Sequence, residues 1–178
     1  MRQEGTNYSG FLYAGLMITP DNQARVLEFN CRLGDPETQP IMLRLKSDLF
    51  ELIDHAVNET LNMIDIEWDR RTALGVVMTA HGYPDNPRKN DTIHGLSSLM
   101  PQQKDAHDFH IFHSGTSMGG SEDKEFVTAG GRVLCATALG ENIKIAQQNA
   151  YKLIENIHFK DSHARLDIGY QAINYLKK

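Results

Sequence analysis

Residues 26–39, VLEFNCRLGDPETQ, alternate polar with apolar side chains and then break off at Gly-Asp-Pro. Alternate residues of a β-strand lie on the same face of a sheet. A strand here therefore carries Glu28, Asn30 and Arg32 on one face. Its other face is apolar and is predicted to pack on a core; it comprises Leu27, Phe29, Cys31 and Leu33. Alternation alone is also compatible with a polar face that is simply solvated, as in most antiparallel sheets.

The types of polar side chain on this strand favour a site that binds a metal ion and phosphate over a face that is simply solvated. Glu28 and Asn30 offer the oxygen ligands that magnesium prefers, and the Arg32 guanidinium suits phosphate or carboxylate. The preceding apolar run, GFLYAGLMIT, has no carboxylate. A magnesium ion here would therefore have few protein ligands, and water and substrate phosphates would complete its octahedron.

A helix is predicted soon after the strand. Gly34 permits a sharp bend, and either Asp35-Pro36 or Thr38 with Pro40 can open the helix, because proline is tolerated in a first turn. Either start places the partial positive charge of a helix N-terminus close to the end of the strand, where it favours a negative group.

The first part of the chain combines a hairpin with a helix. The runs GFLYAGLMI and ARVLEFNCR are strand-like, and TPDNQ between them can turn the chain back, so the two runs are predicted to pair antiparallel. Residues 47–61 repeat apolar side chains at helical spacing, and Asp48 with Glu51 has the spacing of a capping box. A tract of mixed polarity follows, and a domain boundary is predicted near residue 70.

The second part is predicted to be a small β-rich unit. Short strand candidates alternate with turns from Ala73 onward, and Gly130-Gly131 is predicted to join EFVTA to RVLCATA as a hairpin. The part closes with an amphipathic helix over 141–157 and a shorter segment over 167–176. The whole chain is therefore predicted to be of the α+β class, with one unit over residues 1–70 and another over residues 71–178.

Composition places limits on partners. Of the 178 residues, 18 are Lys or Arg and 23 are Asp or Glu, a formal net charge of -5 that attracts neither nucleic acid nor an anionic membrane. The run FLYAGLMI is too short to cross a bilayer, Glu4 precedes it, and no small-residue cleavage site follows, so a soluble cytoplasmic protein is expected. Cys31 and Cys135 lie far apart inside apolar segments, which predicts two reduced, buried thiols.

Two other motifs are weaker candidates for chemistry. His107, His110 and His113 have the spacing of ligands on a helix, but they lie in a strand-like segment, where a spacing of three places neighbours on opposite faces. Packing or hydrogen bonding is therefore predicted for them. The run GTSMGGS, residues 115–121, lacks the Gly-Lys-Ser/Thr ending of a phosphate-binding loop and is predicted to be a flexible surface loop between strands.

The quoted motifs resemble one enzyme family, the phosphoribosylamine-glycine ligases or glycinamide ribonucleotide synthetases, within the ATP-grasp superfamily. VLEFNCRLGDPETQ is similar to that family's signature around its magnesium site, and NYSGFLYAGLM, GGRVLCATALG and RLDIGYQAI are similar to other segments of it. Glu-x-Asn-x-Arg is shared more widely by ATP-grasp enzymes, but the Gly-Asp-Pro-Glu continuation points to this family. The resemblance implies the C-terminal part of an ATP-grasp domain over residues 1–70 and a small β-rich domain with a C-terminal helix over residues 71–178.

The resemblance also implies an ATP-dependent carbon-nitrogen ligase of purine biosynthesis. Such enzymes join glycine to 5-phosphoribosylamine and form glycinamide ribonucleotide, ADP and phosphate by way of a glycyl phosphate. By this analogy Glu28 and Asn30 hold Mg²⁺ or Mn²⁺, which bridges the ATP phosphates. Arg32 contacts the nucleotide and stabilises charge on the transferred phosphoryl group, and Asp35 orients the glycine amine, so catalytic roles are implied for both.

Several parts of such an enzyme are missing from these residues. The family's phosphoribosylamine-binding domain, its adenine pocket and the lysine and glycine-rich loop over the phosphates belong to an earlier part of the enzyme, and no Gly-x-Gly-x-x-Gly or Walker pattern occurs here. The chain alone is therefore expected to be inactive, with the missing N-terminal domains of the same enzyme as its partners. Two other hypotheses stay open: another ATP-grasp ligase or carboxylase, and a non-enzymatic interaction module.

Overall fold

The computed structural model describes residues 2–99, 107–119 and 125–175, and it divides into two compact units. The first unit comprises Met1–Thr38 and Leu45–Asp69, and the second comprises Gln39–Arg44 and Arg70–Lys178. The main break therefore falls between residues 69 and 70, beside the boundary that the sequence predicts near residue 70. The short segment Gln39–Arg44 groups with the second unit.

A β-hairpin opens the first unit. Strands β1 (Tyr13–Ile18) and β2 (Ala24–Asn30) pair antiparallel, as predicted. The turn between them is closed by the Thr19 amide, which donates to the Gln23 carbonyl at 3.0 Å. The register shifts by one residue between Gly15 and Leu16, a β-bulge that leaves Leu27 without a cross-strand partner.

Two helices follow the hairpin along the chain, α1 (Thr38–Arg44) and α2 (Leu49–Val57). Of the two predicted starts for α1, the structure has the later one. Helix α2 begins after Asp48, whose carboxylate accepts from the amides of Phe50 at 2.7 Å and Glu51 at 3.2 Å. The predicted N-terminal cap is therefore confirmed. Short 3₁₀ helices lie at Arg2–Glu4 and Leu61–Met63.

The first unit has no hydrophobic core among its described residues. The buried residues in that part of the chain are two glycines, Gly15 and Gly34. Leu27 and Phe29 of β2 are 64% and 63% exposed, and the Cys31 thiol is exposed as well. The predictions that this face packs on a core and that Cys31 is buried are therefore wrong for this chain, because the apolar face of the hairpin is left uncovered.

The described strands of the second unit form two antiparallel sheets. A four-stranded sheet has the order Phe109–His113 (β4), Arg132–Gly140 (β7), Thr72–Thr79 (β3) and His163–Ala164 (β8). A two-stranded sheet pairs Thr116–Gly119 (β5) with Glu125–Thr128 (β6). Residues 96–99 are also helical, and two longer helices are α3 (Ile143–Ile154) and α4 (Tyr170–Tyr175). No helix in the described ranges is long and apolar enough to cross a membrane.

This topology corrects two sequence predictions. EFVTA and RVLCATA do not pair with each other, because β6 pairs with β5 while β7 pairs with β3 and β4. The predicted loop GTSMGGS is wrong for residues 116–119, which form β5, and residues 120 and 121 lie outside the described residues. The physical cause is a close crossing of Gly115 and Gly130: a Cβ on Gly115 would lie 2.7 Å from Gly130 Cα, and the Ala129 amide donates to the Gly115 carbonyl at 2.7 Å.

The hydrophobic core lies in the second unit. Alternate residues of β3 are buried, and β7 is buried along almost its whole length. Helix α3 packs on both strands through a face that includes Ala146, Ala150 and Leu153, which confirms the amphipathic helix predicted there. A strand that is covered on both faces consists of a nearly continuous run of small and apolar residues, and RVLCATALG in β7 has that pattern.

Pro40 of helix α1 packs on the sheet at Gly75. Gly75 alternates with the buried residues of β3, and a side chain there would lie 3.4 Å from Pro40 Cγ and 2.9 Å from Cys135 Sγ. Cys135 and Thr137 of β7 are 1% and 0% exposed, with Sγ 3.5 Å from Oγ1. Cys135 is thus a buried, reduced thiol, as predicted. Glycine at position 75 gives α1 the space to cover this part of the sheet.

His110 and His113 of β4 pack against aromatic rings. The ring centroid of His110 lies 4.4 Å from that of Phe112, and the ring centroid of His113 lies 4.5 Å from that of Phe126. His113 Nδ1 also lies 2.9 Å from Thr116 Oγ1. Burial lowers the pKa of both imidazoles, and the charge of His110 lowers the pKa of His113 further. Folding therefore favours the neutral form of both rings.

Truncation of a core leucine tests where the core lies. Leu134→Ala is expected to lower the free energy of unfolding of the second unit by about 2–5 kcal/mol, because Leu134 is 0% exposed and its removal leaves a cavity. Leu27→Ala removes a 64% exposed side chain and is expected to change the free energy by less than about 0.5 kcal/mol. Chemical denaturation followed by circular dichroism measures both, and equal effects would contradict this assignment of the core.

Acidification tests the two packed histidines. Stability is expected to fall as the pH drops below the ordinary histidine pKa of about 6.5, because the unfolded chain then binds protons that His110 and His113 accept in the folded chain only at lower pH. Above that pH both states carry neutral rings, and this contribution is fully present. His110→Gln is expected to flatten part of the decline, measured as the free energy of unfolding between about pH 7.5 and about pH 5.5. An unchanged slope would contradict the prediction.

Candidate functional site

Two residues of the predicted polar row, Glu28 and Asn30, lie on one face of the hairpin, whereas the prediction is wrong for Arg32, because β2 ends at Asn30. Cross-strand pairing sets Tyr13 opposite Asn30 and Gly15 opposite Glu28, and paired residues of neighbouring strands share a face. Asn30 Nδ2 donates to Glu28 Oε1 at 3.0 Å. The structure therefore brings Glu28 and Asn30 into contact, with Tyr13 and Gly15 beside them on β1.

The absence of a side chain at Gly15 makes room for Glu28. A Cβ at this position would lie 3.0 Å from Glu28 Cγ and 3.6 Å from Tyr13 Cε1. The Glu28 side chain thus lies over β1, next to the Tyr13 ring. An alanine at position 15 would push either the Glu28 side chain or the strand away by a few tenths of an ångström.

Arg32 and Asp35 lie beyond the end of β2. Arg32 is exposed, and its Nη1 donates to the carbonyl of the neighbouring Leu33 at 2.8 Å. Asp35 is exposed in the loop between β2 and α1. Of the four predicted site residues, Glu28 and Asn30 are thus joined directly, whereas Arg32 bonds to the local backbone and Asp35 belongs to the loop that follows.

Sequence reasoning missed Tyr13 and Glu37. The Tyr13 hydroxyl donates to Glu37 Oε1 at 3.3 Å, across 24 positions of sequence. The negative charge of Glu37 is the largest cause of a raised pKa at Tyr13, followed by burial, and the charge of Glu28 adds a smaller contribution. The register of the predicted hairpin could have identified Tyr13, because the residue that pairs with Asn30 on the neighbouring strand lies on the same face of the sheet.

Glu28 and Asn30 fit a small divalent cation as part of a ligand set. The Asn30 amide presents its nitrogen to Glu28, and a half-turn of that amide would present Oδ1 instead, which gives two neighbouring oxygen donors. Within the described part of the chain, no group of three or more His, Cys, Asp or Glu side chains is placed to hold a metal ion. A cation at this pair would therefore take its other ligands from phosphates and water.

A cleft of about 640 Å³ lies elsewhere in the first unit. Its lining includes Tyr8, Ser9 and Glu59, and it contains none of the four predicted site residues. The cleft and the predicted metal-binding residues therefore lie at different places in this unit. The donor pair on β2 is the stronger indication of function, because neighbouring hard oxygen donors suit a divalent cation of the kind that binds phosphates.

Comparison with protein-family models matches both parts of the chain. Residues 73–171 match the model described as phosphoribosylglycinamide synthetase, C domain, and residues 1–38 match the ATP-grasp (A) domain of phosphoribosylglycinamide synthetase. The C-domain match alone covers more than half of the chain. Glu28 and Asn30 lie inside the matched ATP-grasp segment.

Curated relatives have the name phosphoribosylamine–glycine ligase. The relative from Escherichia coli (strain K12) is 52% identical over 173 residues, and that from Ralstonia nicotianae is 50% identical over 173 residues. Each match covers 97% of this chain and 39% of the relative. The chain thus spans about two fifths of the length of these relatives.

A solved structure extends the likeness to the fold. The crystal structure of phosphoribosylamine–glycine ligase from Thermotoga maritima is similar with a TM-score of 0.69 and 36% sequence identity, and the match covers 94% of this chain and 39% of that one. The predicted α+β class and the resemblance drawn from the motifs are both confirmed. The chain belongs to the phosphoribosylglycinamide synthetase family.

Proposed function

We propose that the chain supplies part of an ATP-dependent ligase that joins glycine to 5-phosphoribosylamine. The products are glycinamide ribonucleotide, ADP and phosphate, in the cytoplasmic synthesis of purines. The observation that carries the proposal is the contact between Glu28 and Asn30 on one hairpin face, within a segment that matches the family's ATP-grasp domain. Mg²⁺ or Mn²⁺ is the proposed cofactor, and ATP is a co-substrate.

Glu28 and Asn30 hold the divalent cation in this proposal. Their two oxygens would supply part of its ligand set. A cation held there would offset negative charge on the phosphates. Gly15 supports this role, because it leaves the Glu28 side chain room to lie beside Asn30.

Two chemical steps follow from the glycyl phosphate intermediate. In the first step a glycine carboxylate oxygen attacks the γ-phosphorus of ATP, and ADP leaves. In the second step the amine of phosphoribosylamine attacks the acyl carbon, the carbon–oxygen bond to the phosphate breaks, and the amine loses a proton. Both steps depend on positioned positive charge rather than on a protein nucleophile.

Arg32 and Asp35 act on the reacting groups. The Arg32 guanidinium is exposed two residues after Asn30, and its hydrogen bond to the Leu33 carbonyl is one that a phosphate oxygen can replace. A planar guanidinium stabilises negative charge on the transferred phosphoryl group or on the acyl phosphate. The exposed Asp35 carboxylate accepts hydrogen bonds from the glycine amine and orients it.

The N-terminal domains of the same enzyme are the proposed cover of the hairpin. Six large apolar side chains on its two strands are between 51% and 64% exposed: Leu16, Met17, Ile18, Val26, Leu27 and Phe29. Contiguous apolar exposure of this kind marks a surface that another segment covers. Because the chain spans 39% of the length of its relatives, the remainder of such an enzyme is the proposed occupant, and the chain alone is expected to be inactive.

A chimaeric enzyme tests the metal role of Glu28. The chain replaces its counterpart in the Escherichia coli relative, and ligase activity is followed as ADP release that depends on glycine and phosphoribosylamine. Glu28→Gln is expected to raise the Mg²⁺ concentration for half-maximal rate at least about tenfold, because an amide is a weaker ligand than a carboxylate. Glu67→Gln, an exposed carboxylate of the same unit, is the matched control and is expected to leave it unchanged.

Two outcomes would contradict the proposal. An unchanged Mg²⁺ requirement in Glu28→Gln would remove Glu28 from the metal site. A folded chimaera without activity would contradict the proposed function itself.

Arg32→Ala in the same chimaera tests the charge-stabilising role. It is expected to lower kcat by about 100-fold or more, because stabilisation of transition-state charge is lost. The unfolding midpoint is expected to shift little, since the exposed side chain contributes little packing. Arg165→Ala removes an exposed arginine paired with Asp167 in the second unit and serves as the control. Steady-state kinetics and calorimetry measure both, and unchanged turnover in Arg32→Ala would exclude Arg32 from the mechanism.

A further inference from the structure

The buried residues among those described in the first unit lie beside one aromatic ring. Of these residues only Gly15 and Gly34 are buried, and the Tyr13 ring lies beside both. A Cβ on Gly15 would lie 3.6 Å from Tyr13 Cε1, and a Cβ on Gly34 would lie 3.2 Å from Tyr13 Cε2. The ring therefore has β1 on one side and the loop that follows β2 on the other.

A carboxylate side chain occupies the space at each of these glycines. Glu28 Cγ is the nearest atom to a Cβ placed on Gly15, at 3.0 Å. Glu37 Oε2 is the nearest atom to a Cβ placed on Gly34, and the two would overlap. Both glycines thus let a glutamate lie against the backbone next to the Tyr13 ring.

The Tyr13 hydroxyl joins the loop to the hairpin. It donates to Glu37 Oε1 at 3.3 Å, a long hydrogen bond, in a partly buried position. The Tyr13 ring also packs against Gly34, so the loop is in contact with both the hydroxyl and the ring of Tyr13. Strand β2 ends at Asn30, so the backbone of Arg32 and Asp35 lies outside the cross-strand ladder.

We propose that Tyr13 is a positioning residue: by holding Glu37 it anchors the loop of residues 31–37 to the hairpin and so fixes Arg32 and Asp35 relative to Glu28 and Asn30. The catalytic consequence rests on the proposed function, whereas the anchoring does not. Glu37 acts here as a hydrogen-bond acceptor for Tyr13. A side chain with a neutral oxygen acceptor is therefore sufficient at position 37.

Amide hydrogen exchange of this chain tests the anchoring. Tyr13→Phe keeps the ring and removes the hydroxyl, and Glu37→Leu removes the acceptor. Each is expected to raise exchange over residues 32–38 at least about fivefold, with the Thr38 amide, which donates to the Gly34 carbonyl at 3.0 Å, as a reporter. Glu37→Gln keeps an acceptor and is expected to match the unaltered chain. Tyr170→Phe, an exposed tyrosine of the second unit, is the control.

The chimaeric ligase tests the catalytic consequence. Tyr13→Phe and Glu37→Leu are each expected to lower kcat about tenfold with little change in KM for ATP, because misplacement of Arg32 and Asp35 affects the reacting geometry more than nucleotide binding. The double variant is expected to be no slower than either single variant, since both changes remove the same contact. Glu37→Gln is expected to retain most of the turnover.

Three results would overturn the proposal. Unchanged exchange in Tyr13→Phe and Glu37→Leu would show that the loop is held by other contacts. Unchanged kcat in Tyr13→Phe would show that the anchor does not matter for the reaction. Equal losses of turnover in Glu37→Gln and Glu37→Leu would show that the carboxylate charge itself is required, so that Glu37 is more than an acceptor for Tyr13.

The two measurements separate failure of this inference from failure of the proposed function. A folded chimaera without ligase activity contradicts the function, and the exchange measurement then decides on its own whether Tyr13 anchors the loop. An active chimaera with unchanged exchange in the variants contradicts the role of Tyr13 alone.

Discussion

Antiparallel pairing between β1 and β2 decides which side chains act together in the first unit. Because Tyr13 pairs with Asn30 and Gly15 with Glu28, residues from two strands share one face. The glycine among them leaves space in which Glu28 can lie over β1 and contact Asn30. Backbone hydrogen bonds and two close approaches at glycine thus provide the order that a buried core provides in most domains, in a unit that has no fully buried apolar side chain among its described residues.

The second unit derives its order from burial. Strand β7 is buried along almost its whole length, and helix α3 packs on it. Gly75 leaves space for Pro40 to pack on the neighbouring strand β3. The two units therefore differ in what they supply: one has a core of its own, and the other has the polar groups suited to phosphate and a cation. This difference agrees with a family in which separate models describe an ATP-grasp domain and a C domain.

Local sequence patterns were sufficient for elements whose causes are local. The alternation in β2, the Asp48 cap and the helical spacing in α3 all correspond to observed structure. Local patterns failed where residues distant in sequence determine the structure. The partner of β6 is β5, because Gly115 and Gly130 cross closely. Alternation shows which residues of a strand share a face, but it does not show whether a second layer covers that face. For the site, alternation placed Glu28 beside Asn30, whereas the link from Tyr13 to Glu37 spans 24 positions and is visible in neither segment alone. The roles of all four residues, Glu28, Asn30, Arg32 and Asp35, stay predictions.

The unpaired Leu27 determines which way the polar row of β2 faces. If the regular pairing next to the turn continued without interruption, Gly15 would stand opposite Leu27 and Glu28 opposite Ala14, on the side away from Tyr13. The additional residue, Leu27, places Glu28 and Asn30 on the same face of the hairpin as Tyr13. Individual side chains of this strand can therefore change one at a time during evolution, but the gain or loss of a single codon between the turn and Glu28 would move the whole polar row to the other face.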